Sequence, residues 1–165
     1  MTLEELNRHR AIELKDNFIT CCHCQRWAVD MCNARPFISV EELLDLADQL
    51  WEIATEKERL EAFSGHPQIG DMQALRNKFA DSAQREQGQI VEADESVLKE
   101  LEDKNQQYFD AFGFIFIVCA TAKSAGEMLE LLLQRLVNSR ETELENAARE
   151  QGAITRLRLQ KMIGS

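Results

Sequence analysis

Four times along this chain a serine or threonine is followed three residues later by a glutamate: Thr2 with Glu5, Ser39 with Glu42, Thr55 with Glu58, and Ser124 with Glu127. At that spacing the hydroxyl accepts a hydrogen bond from the amide three residues on. The glutamate reaches back to the first amide, so each pair satisfies donors that a helix start leaves bare. Four such starts in 165 residues leave little chain for a sheet. They predict an all-α protein of seven or eight helices in a single compact domain, residues 1–165, long enough to bury a core without disulfides or metal.

Apolar periodicity extends the prediction. Behind Ser39 the set Leu43, Leu44, Ala47, Leu50, Trp51 and Ala54 recurs at helical spacing, and behind Ser124 so do Met128, Leu131, Leu132 and Leu136. A helix from about Cys21 to Ala34 is expected to carry Trp27 and Met31 inward and to stop before Arg35, Pro36 and Phe37. Further stripes run through Val97, Leu98, Leu101, Asn105, Tyr108, Phe109 and Phe112, and through Leu144, Ala147, Ala148, Gln151 and Ile154. One stretch breaks the pattern. Phe112 to Ala120 is apolar on every face and has no partner strand, so it reads as a fully buried connector or the buried start of a helix. Buried extended backbone can also present amides to a ligand.

The formal charge of −10 opposes non-specific binding to nucleic acid or to anionic membrane, both of which need a basic footprint. An anionic ligand would have to be held by a few local cations working against that field. The first ten residues have no apolar signal core, no apolar run approaches membrane-spanning length, and the chain does not end in Ser-Lys-Leu. With an odd number of cysteines, five, a reducing cytoplasmic location is expected.

Chemistry is expected around Gly65-His66-Pro67-Gln68-Ile69-Gly70-Asp71. Proline fixes its own φ and pushes His66 out of helical geometry, holding a side chain that exchanges protons near neutral pH in a stiff turn. The bland alternative is helix punctuation. Ser82 to Gly88 form a polar cluster in which Glu86 either orients an imidazole or is a plain surface carboxylate. Arg156 and Arg158 lie about 200° apart on a helix, so one of the two is expected to turn inward and clamp an anion, against a reading as two surface arginines. Cys21, Cys22, His23 and Cys24 lack the second ligand pair of a zinc site and the βαβ surroundings of a redox pair, and read as core filler. No phosphate loop, serine elbow or His-Glu-x-x-His pair is present in the sequence.

Taken in order, Cys22 to Trp27, Met31, Arg35-Pro36-Phe37, Trp51, Gly65-His66-Pro67 with Ile69-Gly70-Asp71, Glu86-Gln87, Tyr108, Phe112-Gly113-Phe114 and Arg158-Leu159 resemble the OHCU decarboxylase family. Its members act on 2-oxo-4-hydroxy-4-carboxy-5-ureidoimidazoline. The resemblance runs from about Phe18 to Leu159. It implies an all-α, usually homodimeric lyase that forms S-allantoin in the last step from urate, with a ureidoimidazoline as its small-molecule substrate and neither metal nor organic cofactor. By position, His66 matches the family's catalytic acid, and Glu86, read as catalytic beside it, forms with Gln87 a substrate-contacting pair. Arg158 matches the arginine that holds substrate. Pro67, the backbone of Ala83, Gln84, Arg85, Glu86 and Gln87, and the run Phe116, Ile117, Val118, Cys119 and Ala120 match segments lining the pocket.

Ala83 stands where a serine can occur and Cys24 where serine is frequent; neither touches the implied chemistry. The chain resembles a free-standing bacterial-type version. The competing class is a non-catalytic helical module that binds a ureide or a partner. Intact His66, Glu86 and Arg158 weigh against it.

Overall fold

The computed structural model describes residues 1–67, 91–120 and 123–164. Among these residues lie eight helices and no strand: α1 (Leu3–Arg8), α2 (Ala11–Cys21), α3 (Gln25–Asn33), α4 (Val40–Glu52), α5 (Glu56–Ser64), α6 (Val91–Phe112), α7 (Ala125–Leu136) and α8 (Arg140–Gly164). The all-α expectation holds, and the four predicted caps start four of the helices. Thr2 and Thr55 close both halves of the reciprocal box. Ser39 and Ser124 accept from the Glu42 and Glu127 amides, while the Glu42 carboxylate accepts from the Ile38 amide at 2.7 Å instead of closing the loop.

The helix expected over Cys21 to Ala34 is two pieces. α2 ends at Cys21, α3 begins only at Gln25, and Cys22 and Cys24 are extended between them. The Cys24 amide donates to the Cys22 carbonyl at 2.7 Å. The side chains of Cys21, Cys22 and Cys24 are all buried. A short buried run looks the same to a periodicity argument whether it is helical or extended.

The chain divides into two compact units. The first is Met1–His66 together with the chain from Ala148 onward. Its core contains Phe18, Trp27, Met31, Leu43, Phe63 and Leu159, each fully buried or nearly so. An aromatic or leucine side chain contributes about 1.5–3 kcal/mol when removed from water. Phe18 meets Trp27 edge to face at 5.8 Å, and the indole N–H of Trp27 donates to the Ala47 carbonyl at 3.0 Å, tying α3 to α4. The Trp51 indole donates to the Ala148 carbonyl at 2.7 Å, tying α4 to α8. A Cβ on Gly152 would stand 3.2 Å from Trp51 Cδ1, so the glycine is what lets the indole lie against the helix.

The second unit comprises the described residues between Pro67 and Ala147. Tyr108 sits at its centre, with Phe112, Phe114 and Phe116 around its ring at 4.6–5.8 Å. Gly113, at φ +82°, occupies the left-handed position that ends α6, where a side chain would be strained. The residues that follow are the connector rather than a helix start. Phe114, Phe116, Ile117 and Val118 are buried, whereas Ile115, Cys119 and Ala120 are half-exposed, so burial is less complete than expected. Some stripe positions also differ. Phe109 is exposed, and α7 buries Ala125, Met128, Leu129, Leu132 and Arg135 while Leu131 and Leu136 are only half-covered.

Candidate functional site

His66 owes its position to the way α5 ends. The Gly65 amide donates to the Ala62 and Phe63 carbonyls, the His66 amide donates to Phe63 at 3.2 Å, and Pro67 then forbids continuation of the helix. Gly65 is required by proximity, not by φ, which is −76°. A Cβ there would lie 2.4 Å from the Cβ of His23, on the link between α2 and α3. The His66 ring is half-buried, and its Nε2 lies 2.5 Å from Gln151 Oε1. Gln151 is completely buried; its amide nitrogen donates to Thr155 Oγ1 at 3.0 Å, and that hydroxyl donates to the Cys21 carbonyl at 3.4 Å. Gln151 and Thr155 are four residues apart, hence stacked on one face of α8. In the sequence Gln151 is one member of an apolar stripe, and its polarity there is the signal that could have set it apart.

Arg158 continues that face three residues beyond Thr155. It is exposed, and its Nη1 donates to the Thr20 and Cys21 carbonyls at 3.3 and 3.4 Å. With Asn17, Thr20, Cys21, Lys161 and Met162 it lines an open cavity of about 330 Å³, whose described lining does not include His66. Seven residues of helix separate Gln151 from Arg158, a rise of about 10 Å. The expectation that one arginine turns inward is not met. Arg156 pairs with Asp48 at 2.7 Å and with Asp45 at 3.8 Å while its side chain remains 37% exposed. Acidic residues on α4 meet it at the surface, so it has no need of burial.

In the second unit, sequence reasoning missed a buried ionic cluster that fixes the connector. Glu143, fully buried, accepts from Tyr108 and from Arg135 Nε, each at 2.6 Å, through Oε1. Its Oε2 accepts from Asn138 at 2.9 Å and Asn146 at 2.7 Å. Burial by itself would raise the Glu143 pKa; the hydrogen bonds from Tyr108, Asn138, Asn146 and Arg135 outweigh it and hold the carboxyl below its ordinary range. Burial and the neighbouring carboxylate push the Tyr108 phenol far up. Arg135 Nη1 donates to the Ile117 carbonyl at 2.5 Å, and its guanidinium lies 4.7 Å above the Phe116 ring. Phe116 and Ile117 are therefore held from both backbone and side chain.

Ala83, Gln84, Arg85, Glu86 and Gln87 lie outside the described residues. No disulfide joins the five cysteines, and among the described residues no group of three or more His, Cys, Asp or Glu side chains is placed to hold a metal ion. Desolvation raises the pKa of Cys21, Cys24 and Cys32 and pushes that of Cys22 up to about 12. These four remain thiols at neutral pH, which suits packing and not nucleophilic work.

Known proteins supply the wider frame. The family model for OHCU decarboxylase matches residues 7–160. The chain is 36% identical over 151 residues to the uric acid degradation bifunctional protein TTL of Arabidopsis thaliana, covering 90% of this chain and 47% of that protein. It is 25% identical to the 2-oxo-4-hydroxy-4-carboxy-5-ureidoimidazoline decarboxylase of Haloferax volcanii, covering 100% of this chain and 98% of that one. A crystal structure of an OHCU decarboxylase in the presence of (S)-allantoin superposes with a TM-score of 0.74 at 34% identity, over 91% of this chain and 99% of the other. The chain spans about a third to a half of the length of the bifunctional relatives it matches. With a match from residue 7 to residue 160 and the same helical fold in a solved relative, this chain belongs to the OHCU decarboxylase family.

Proposed function

We propose that the protein is a carbon–carbon lyase that converts 2-oxo-4-hydroxy-4-carboxy-5-ureidoimidazoline to (S)-allantoin and carbon dioxide, a step of urate degradation. The observation that carries this reading is the family match across residues 7–160, within which His66 is present and anchored by Gln151. The decarboxylase names of relatives that share nearly the whole length of the chain support it further.

In the proposed reaction the bond from ring carbon to carboxylate breaks and its electron pair enters the conjugated ring. Carbon dioxide leaves, one proton is added to the ring nitrogen that takes up the electron pair and one to a ring carbon, and the hydroxyl proton departs as a carbonyl forms, a net uptake of one proton. The substrate supplies its own electron sink, so the chemistry calls for no cofactor; the protein has to orient and protonate. His66 is assigned the proton, delivered to one face so that one enantiomer forms. Arg158 is assigned the substrate anion, and Glu86 with Gln87 the hydroxyl or ring N–H. Pro67, Ala83 to Arg85 and Phe116 to Ala120 complete the proposed contacts on the family pattern. Residues 1–165 are read as one decarboxylase domain because the family model runs through both units. Cytoplasmic residence and a homodimer belong to the same proposal; the buried thiols suit a reducing compartment, and no described helix is long and apolar enough to cross a membrane.

The test is to follow the optical activity of allantoin as freshly generated substrate decays with and without the protein. Faster decay with an excess of the S enantiomer is expected, and His66→Asn is expected to lower turnover by about 100- to 10,000-fold. Decay at the spontaneous rate to racemic product would overturn the reading.

A further inference from the structure

We propose that Gln151, backed by Thr155, is the positioning residue that fixes the tautomer of His66, keeping a proton on Nε2 and leaving Nδ1 as the nitrogen that exchanges a proton with substrate. Hydrogen-bond direction is set from the end of the chain that permits no choice. The Cys21 carbonyl only accepts, so the Thr155 hydroxyl 3.4 Å away spends its single proton there. The Thr155 oxygen must then accept from its other neighbour, which requires the NH₂ of the Gln151 amide to face it, at 3.0 Å. The amide oxygen consequently faces His66. An oxygen that only accepts requires N–H on the nitrogen opposite, and that nitrogen is Nε2, at 2.5 Å.

Every group in this chain after the imidazole is neutral, and Gln151 and Thr155 are buried. Gln151 is completely shielded, so no water competes for its amide, and reversing it would set its carbonyl oxygen against the Thr155 oxygen, whose proton is spent on Cys21. The imidazole is half-buried at the opposite end, so the chain runs from fixed backbone to a ring that meets solvent. In either protonation state the Nε2–H bond to Gln151 persists. Gain and loss of the proton at Nδ1 therefore leave the ring orientation unchanged, which one-sided delivery requires.

This inference rests on His66 being the proton donor of the proposed reaction, and the experiment separates the two. Ring-nitrogen NMR of ¹⁵N-histidine-labelled protein, with the His66 signals identified by their loss in His66→Asn, reads the tautomer without any turnover. The neutral ring is expected to carry its proton on Nε2 in the native chain and to become a mixture in Gln151→Leu. In kinetics, Gln151→Leu is expected to lower kcat by about 10- to 100-fold, the scale of a hydrogen bond to a charged group, with KM nearly unchanged. Thr155→Val should show a smaller loss that Thr155→Ser, which keeps the hydroxyl, largely restores. An Nδ1–H tautomer in the native protein, or the same tautomer and kcat in Gln151→Leu, overturns the assignment. An inactive native protein with the Nε2–H tautomer retained would overturn the decarboxylase reading and leave the positioning role standing.

Discussion

The Glu143 cluster and the His66 chain are both polar, both hydrogen-bonded and both built on α8, yet one is ionic while the other is neutral up to a titratable ring. In the cluster each carboxylate oxygen of Glu143 takes two donors, and Arg135 passes its remaining contacts to Ile117 and Phe116. Nothing in it has anywhere to go. In the chain from Cys21 through Thr155 and Gln151 to His66 no fixed charge appears, and the last member is a ring that can be charged or neutral. A carboxylate in place of the Gln151 amide would favour the charged imidazole and resist its losing a proton. An amide orients without choosing. The difference matches two tasks: immobilising a stretch of backbone and, in the proposed reaction, presenting a group that gains and loses a proton.

Breaking the ionic member should have the largest effect. Arg135→Met leaves Glu143 buried and unpaired, and about 3–5 kcal/mol of stability is expected to be lost in urea unfolding. Arg135→Met with Glu143→Leu should recover most of that, because a buried ion pair replaced whole by apolar side chains costs little. The sign of the pH dependence follows from the lowered carboxyl. Glu143 titrates below its ordinary value of 4.5 in the folded chain, so its contribution is fully present above about 4.5 and is lost as pH falls through the folded value. Urea midpoints measured from pH 7 down to 3 should fall more steeply for the native chain than for Glu143→Gln. Equal slopes would mean that the carboxylate is not what holds the connector.

On the neutral side, the next largest effect is expected at Gly65. Gly65→Ala brings a methyl group against the Cβ of His23 at 2.4 Å, too close for either backbone to remain in place. A loss of about 1–3 kcal/mol, the scale of overpacking, is expected. Turnover should also fall, because the displaced residue is the one before His66. Adding His23→Gly removes the clashing atom. A double-mutant cycle in which the second change restores nothing would show that Gly65 serves some purpose other than close approach.

The comparison also shows where sequence was sufficient. Helix starts were legible because capping is local: Thr2, Ser39, Thr55 and Ser124 each find their partner three residues away. His66 was legible because Pro67 and two flanking glycines announce a stiff turn. What supports them was not, because it is distant in sequence. Gln151 is 85 residues from His66, and Tyr108 is 35 from Glu143. Arg135 and Glu143, eight residues apart on two helices, are in sequence indistinguishable from surface charges. The break at Cys22 to Cys24 was hidden for another reason, since small buried side chains satisfy helical and extended patterns alike.

The smallest stability effects, and the sharpest contrast between neighbours, should come from the two arginines that follow Thr155 on α8. Arg156 pairs with Asp48 and Asp45 at a half-exposed surface, so Arg156→Gln should lose less than about 1 kcal/mol and leave KM alone. Among the described residues Arg158 donates to two carbonyls, at 3.3 and 3.4 Å, and lines an open cavity with Lys161. Its removal should change stability by no more than about 0.5 kcal/mol. If it holds the substrate anion, however, losing a charge-assisted hydrogen bond should raise KM about tenfold or more. The two substitutions remove the same charge from positions two residues apart, so a general field effect would move KM equally in both. A rise confined to Arg158→Gln assigns the anion to that side chain, and equal changes would return it to the ordinary helix surface.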